Sequence, residues 1–194
     1  MQSPFYFIVN PLNDNRYNNT KNIGGVDVIV NTSEEEHKFS NRYAVVVEVP
    51  LGYTGPIKVG DTLLVHHNAF KFYNDIKGRR KSGRSFFRDN VFFIDSEQFF
   101  MYKNENGWNA YDRYCFVRRL PATDYYVKKS YTYEPMMGKM AYPNEYLKSK
   151  GVLPGDIVCF TPESDYEFDV DGEIMYRLYD HQITIKLCQK IQQK

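Results

Sequence analysis

The chain has 194 residues and a net charge of +1, from 25 Lys and Arg against 24 Asp and Glu. A mean hydropathy of −0.57, with no apolar run near the roughly 20 residues of a spanning helix, argues against a membrane protein. The near-neutral balance weighs against nucleic acid or a membrane surface as partner. Three widely spaced cysteines, Cys115, Cys159 and Cys188, exclude a disulfide framework or zinc ribbon. They are expected to be small buried apolar residues in a reducing, cytoplasmic compartment, and Met1-Gln2-Ser3-Pro4 does not open a signal peptide.

Tyr (17) and Phe (14) dominate the apolar content, a bias toward strands. In chain order the apolar runs predict strands at 5–9, ended by Asn10-Pro11, then at 43–49, 62–65, 91–94 and 99–102. After a turn-rich linker at 104–107 they predict strands at 114–117, 136–141, 157–160, 173–178 and 183–187. A single helical turn is expected over 144–149, stopped by Gly151 in a left-handed conformation. Many short strands divided by Gly, Pro, Asn and Asp indicate an all-β sandwich or barrel.

One segment occurs twice. Lys58-Val59-Gly60-Asp61-Thr62-Leu63-Leu64-Val65 returns as Leu153-Pro154-Gly155-Asp156-Ile157-Val158-Cys159-Phe160, with the glycines 95 positions apart. Each copy predicts a tight Gly-Asp turn leading into an apolar strand. The expected organisation is therefore two related units, 1–104 and 105–194. Spacing around the repeat places about 13 extra residues in the first unit near Thr20–Thr32, and about 11 more around Asn74–Arg84. Insertions on a rigid β scaffold are the first places to look for function.

The first insertion contains Gly24-Gly25-Val26-Asp27-Val28-Ile29-Val30 between polar and charged flanks. Two readings fit: a docking peptide that orders on a partner's apolar groove, or a hairpin arm with Gly24-Gly25 as its turn. Burying three aliphatic side chains would contribute roughly 5–8 kcal/mol gross, less the cost of ordering. The second insertion packs Lys77, Arg79, Arg80, Lys81 and Arg84 into eight residues, flanked by Phe72, Tyr73, Phe86 and Phe87. It fits a contact to phosphates or to an acidic neighbouring subunit, or a solvated hairpin tip.

The order of these elements resembles the GroES-type co-chaperonins, the lids of chaperonin rings. The resemblance rests on Phe7–Leu12, on Gly24-Gly25 with the aliphatic residues after it, and on Ala44–Val49. It continues through Lys58-Val59-Gly60-Asp61 with its strand and the pair Val91–Phe100, then more thinly through Leu153–Phe160 and Asp171–Tyr176. It implies two GroES-like β-barrels in tandem and a homo-oligomeric ring that caps an ATP-driven chaperonin. It also implies a mobile loop, Gly24, Gly25, Val26, Val28, Ile29 and Val30, as the partner-binding site. ATP would belong to the partner, and the chain itself would need no cofactor. Departures are Asp27 inside the aliphatic run, a roof shortened to 50–56, and a second barrel without a mobile loop. The alternative is a structural assembly protein, of the kind a virus uses, found in the virion rather than the host cytoplasm.

Catalysis finds no motif: there is no Gly-x-Ser-x-Gly, His-Glu-x-x-His or Walker loop. The chain is not expected to be an enzyme. His66 and His67, if in a strand, would point to opposite faces and share no metal. Asp165, Glu167, Asp169, Asp171 and Glu173 alternate as a solvated hairpin face would, with a hard-cation site as the sharper reading.

Overall fold

The structure, a computed structural model, describes residues 2–18, 20–29, 39–122 and 132–187. His37, Val30 and Cys188 lie outside them. The protein is all-β apart from one short helix and divides into two compact units, 1–107 and 108–194.

The first unit contains Phe7–Pro11 (β1), Thr20–Ile23 (β2), Val26–Ile29 (β3), Tyr43–Glu48 (β4), Thr62–Val65 (β5) and Phe72–Asn74 (β6). It continues with Arg80–Ser82 (β7), Phe86–Arg88 (β8), Val91–Ile94 (β9) and Phe99–Asn104 (β10). Gly107–Ala110 (β11) straddles the division. The second unit contains Tyr114–Pro121 (β12), Tyr133–Tyr142 (β13), the helix Glu145–Ser149 (α1), Ile157–Phe160 (β14), Tyr166–Val170 (β15), Glu173–Tyr179 (β16) and Ile183–Leu187 (β17).

The two units share one topology. The first sheet runs β11-β10-β5-β4-β1-β9-β8 and the second β17-β14-β13-β12-β16-β15, so six strands follow the same order in both and β11 is an added edge strand, with antiparallel pairings in both. The agreement extends to single residues. Val9 faces Val46, and Val117 faces Met140; in each pair a bulge interrupts the register one residue earlier, at Ile8/Val9 and at Phe116/Val117. A second bulge recurs where Phe99 meets Val65 and where Ile183 meets Phe160. A bulge adds twist at a fixed place in a sheet, so its recurrence in both copies gives them matching local twist.

The Gly-Asp turn is the same object twice. Gly60 has φ +93° and Gly155 φ +94°, a region that residues with a Cβ avoid. The amides of Gly60 and Gly155 donate to the carbonyls of Val46 and Met140, at 2.8 Å each. The carboxylates of Asp61 and Asp156 accept from the amides of Lys58 and Leu153, at 2.8 and 2.7 Å.

The cores also correspond. Phe7, Val9, Val46, Ile57, Leu63, Val65 and Ile94 are buried in the first unit, and Cys115, Val117, Met140, Val152, Val158, Phe160 and Leu178 at matching places in the second. Leu147 is extra, delivered by α1 into the same cluster. That helix has the expected ends. The Asn144 side chain accepts from the Leu147 amide at 2.9 Å. Gly151, at φ +82°, lets Val152 donate back to the Leu147 carbonyl at 2.9 Å, which closes the C-terminus.

Several expectations change. No closed barrel forms among the described residues: β8 and β11 end one sheet's strand order, and β15 and β17 end the other. Strand β1 starts two residues late, since Phe5 is exposed, and runs through Pro11, a proline tolerated at a strand end. The turn-rich segment after β10 is a two-residue turn, Glu105-Asn106, between β10 and β11, and the two units divide just after it, between Gly107 and Trp108.

Candidate docking hairpins

Both insertions of the first unit are β-hairpins. In the first, β2 pairs with β3 from Thr20↔Ile29 to Ile23↔Val26. Gly24 (φ +62°) and Gly25 (φ +86°) form the two-residue connection. Two consecutive positive φ values are the type I′ geometry, whose twist matches that of the strands it joins. Of the two readings of this segment, the backbone follows the hairpin arm with Gly24-Gly25 as its turn. Val26, the first residue past the turn, is 64% exposed. Gly24, Gly25, Val26, Val28 and Ile29 thus lie on one hairpin, while Val30 falls outside the described residues. The segment at the corresponding place in the second unit, 123–131, also lies outside them, and the expected absence of a second loop falls there.

The second insertion is an addition to the shared scaffold. Residues 66–85 connect β5 to β8, whereas 161–165 connect β14 to β15. Part of the longer connection enters the core: Ala69 and Phe70 are buried, and Phe70 packs edge-on against Phe92 at 4.8 Å between centroids. The rest is the β6–β7 hairpin, with Phe72↔Ser82, Tyr73↔Lys81 and Asn74↔Arg80 paired.

The root of this hairpin is clamped. The Arg16 guanidinium lies 4.3 Å from the Phe72 ring centroid and 4.8 Å from those of Phe86 and Phe92. Its Nη1 donates to Ser82 Oγ at 2.9 Å and its Nε to Asn90 Oδ1 at 3.4 Å. Arg80 covers Phe72 at 3.7 Å. The Tyr17 hydroxyl accepts from the Phe72 amide at 2.9 Å, and the Tyr17 ring stacks on Phe72. Burial lowers the pKa of Arg16, with the charge of Arg80 acting in the same direction, but a guanidinium remains a cation. Phe72 and Phe86 were visible in the sequence as flanking aromatics; Arg16, which gathers them, was not. A lone arginine more than fifty residues from its partners leaves no local signal.

The tip is ordered by Asp75. Its Oδ1 accepts from the Lys77 and Arg79 amides at 2.9 Å each, and its Oδ2 pairs with Lys81 Nζ at 3.4 Å. The Arg79 amide is the largest of the contacts that hold this carboxylate below its usual pKa. Ile76, Lys77 and Arg79 are exposed. Arg84 is exposed at the turn before β8, so the four expected basic residues do not form one cluster: Arg79 and Lys81 share a face of the hairpin, Arg80 turns to Phe72, and Arg84 stands apart.

The other candidates resolve into structure. His66 and His67 lie past the end of β5, in a turn, and their rings meet at 4.1 Å between centroids, tilted by 33°, instead of pointing apart. The five alternating carboxylates each have a protein partner. Asp165 pairs with Arg119, and Glu173 with Arg118. Glu167 accepts from the Tyr176 hydroxyl, Asp169 from the Gly172 amide and Asp171 from Trp108 Nε1. No group of three His, Cys, Asp or Glu among the described residues has the geometry of a metal site, and no described helix is long and apolar enough to cross a membrane. No known protein family matches the chain, and no curated protein is detectably similar to it.

Proposed function

We propose that the protein is a co-chaperonin-like docking protein, which assembles into a ring through a duplicated GroES-like scaffold and caps an ATP-driven chaperonin with the β2–β3 hairpin. The observation that carries this reading is the order of parts in the first unit. An opening strand is followed by a Gly-Gly hairpin with an exposed valine, then a second strand, then the Gly-Asp turn and its apolar strand. Val26, Val28 and Ile29 would enter the partner's apolar grooves. Weak single contacts would act together around the ring through high effective concentration.

The test is co-sedimentation of the purified protein with a chaperonin ring from its own host, with and without ATP. Nucleotide-dependent binding that disappears in a Val28→Ser/Ile29→Ser double variant supports capping. Absence of binding under every nucleotide condition overturns it.

A structural assembly protein that uses the β units as building blocks is the second reading. The observation that favours it is that 20–29 is a paired hairpin and not an extended peptide. Resistance of this segment to protease in the free protein, together with failure to bind chaperonin, would select it.

A further inference from the structure

We infer that the outer face of the β6–β7 hairpin binds single-stranded nucleic acid, independently of any capping by β2–β3. The near-zero charge of the chain conceals a local field. Between residues 71 and 88 there are seven Lys and Arg and one Asp, a net of +6 in a chain that nets +1. A field concentrated on one projecting element attracts polyanions even when the whole molecule does not.

Strand alternation sorts these charges. Phe72, Arg80 and Ser82 share the face that meets Arg16. Lys71, Tyr73, Asp75, Arg79 and Lys81 therefore fall on the opposite face, with Tyr73 directly across from Lys81 and the Asp75 carboxylate 3.4 Å from Lys81 Nζ, three cations against one anion. Tyr73 is 53% exposed, which leaves a ring face open beside the cations. Lys77 adds a further exposed cation at the tip.

This combination separates nucleic acid from other anionic partners. An acidic protein surface would be met by the cations alone. An exposed aromatic ring among cations matches a strand whose phosphates alternate with unpaired bases, since every base can stack. A duplex hides its bases and would leave Tyr73 unused. From residue 71 to 75 the face spans roughly 13 Å at the rise of a strand, room for two or three phosphates. The surface is also preorganised: Arg16, Tyr17 and Arg80 clamp the root, and Asp75 fixes the tip, so little order has to be gained on binding.

The experiment is fluorescence anisotropy of labelled eight-nucleotide oligo(dT) and oligo(U) with the full chain, between 50 and 200 mM salt. The expected result is binding whose log K falls with log salt at a slope of about −2, for two to three phosphates on a single strand. Lys77→Glu/Arg79→Glu should weaken binding more than tenfold. Tyr73→Ala should weaken it about tenfold while Tyr73→Phe retains it, and each variant should melt at the parent temperature. Binding indifferent to Tyr73→Ala and competed equally well, charge for charge, by poly-glutamate would overturn the inference in favour of an acidic protein partner. No binding at 50 mM salt would overturn it outright.

Discussion

Gly138 shows how much a single absent Cβ can decide. A Cβ built there would meet the Arg118 carbonyl at 2.9 Å and two side-chain carbons of Val117 at 3.1 Å. The first unit carries the buried Ala44 at the matching place, so a Cβ that one sheet holds would crowd the other. Gly138→Ala is expected to cost about 1–3 kcal/mol, the range for overfilling a packed site, measurable as a lower urea midpoint with an unchanged slope. Asp156 makes the case for charge. Lys186 Nζ sits 2.7 Å from its Oδ2, and this contact, helped by the Leu153 amide, holds the carboxyl below its ordinary pKa. A lowered folded-state pKa contributes stability that is present above the ordinary carboxylate range and is lost as pH falls through the lowered value. Asp156→Asn should therefore destabilise at pH 7, by no more than about 1 kcal/mol for so exposed a pair, and its deficit should shrink toward zero as the pH falls below the ordinary carboxylate range. A deficit independent of pH would mean that the turn, and not the charge, is what the carboxylate supports. Tyr102 stands where the first unit would need Lys186, so that unit lacks this ion pair.

The elements divide into scaffold and additions. The Gly-Asp turns, the two recurring bulges and the shared strand order belong to the scaffold. The β6–β7 tip belongs to the additions, and Asp75–Arg79 is ordered from within, by the contacts of the Asp75 carboxylate. Replacing Asp75–Arg79 with an Asn-Gly turn between Asn74 and Arg80 should keep the hairpin root and leave the melting temperature within about 4 °C of the parent, equivalent to less than 1 kcal/mol. The same variant should lose affinity for the oligonucleotides. A cut that also removed Phe70 would open a cavity against Phe92 and would not be a fair test. The addition is thus less separable than its polar composition suggests, because its first residues are core.

On the scale of the whole molecule, the sequence carried those features that are local or repeated. Strands β5, β9, β14 and β17 begin and end where their apolar runs do. The turns at Gly60 and Gly155 and the stop at Gly151 were legible because only glycine tolerates those angles. The short strands β6, β7 and β8 were not, since three polar and aromatic residues carry little periodicity. The histidine pair lies past the end of β5 at Val65, where the apolar run also ended, and in a turn the alternation that would send the rings to opposite faces does not apply. The Arg16 clamp is a long-range assembly of residues 16, 72, 80, 82, 86 and 92, and only folding brings it together.

The matched registers also bear on how such a chain finds its own partners during folding. Strand β1 carries the hydrogen-bonding pattern of β12, bulge included, so the backbone alone would let either strand zip onto either sheet. Neighbouring repeats with interchangeable strands are prone to trapped, cross-paired intermediates. Here the side chains discriminate. The ring of Phe7 would have to enter the space shaped for Cys115, in a cluster already filled by Phe160 and Leu147. Conversely, Cys115 in place of Phe7 would leave a void beside Phe99. Overfilling one pocket and emptying the other each raise the energy of the exchanged arrangement by about 1–5 kcal/mol. Divergence in core volume, with the backbone held constant, lets each half of the chain recognise itself.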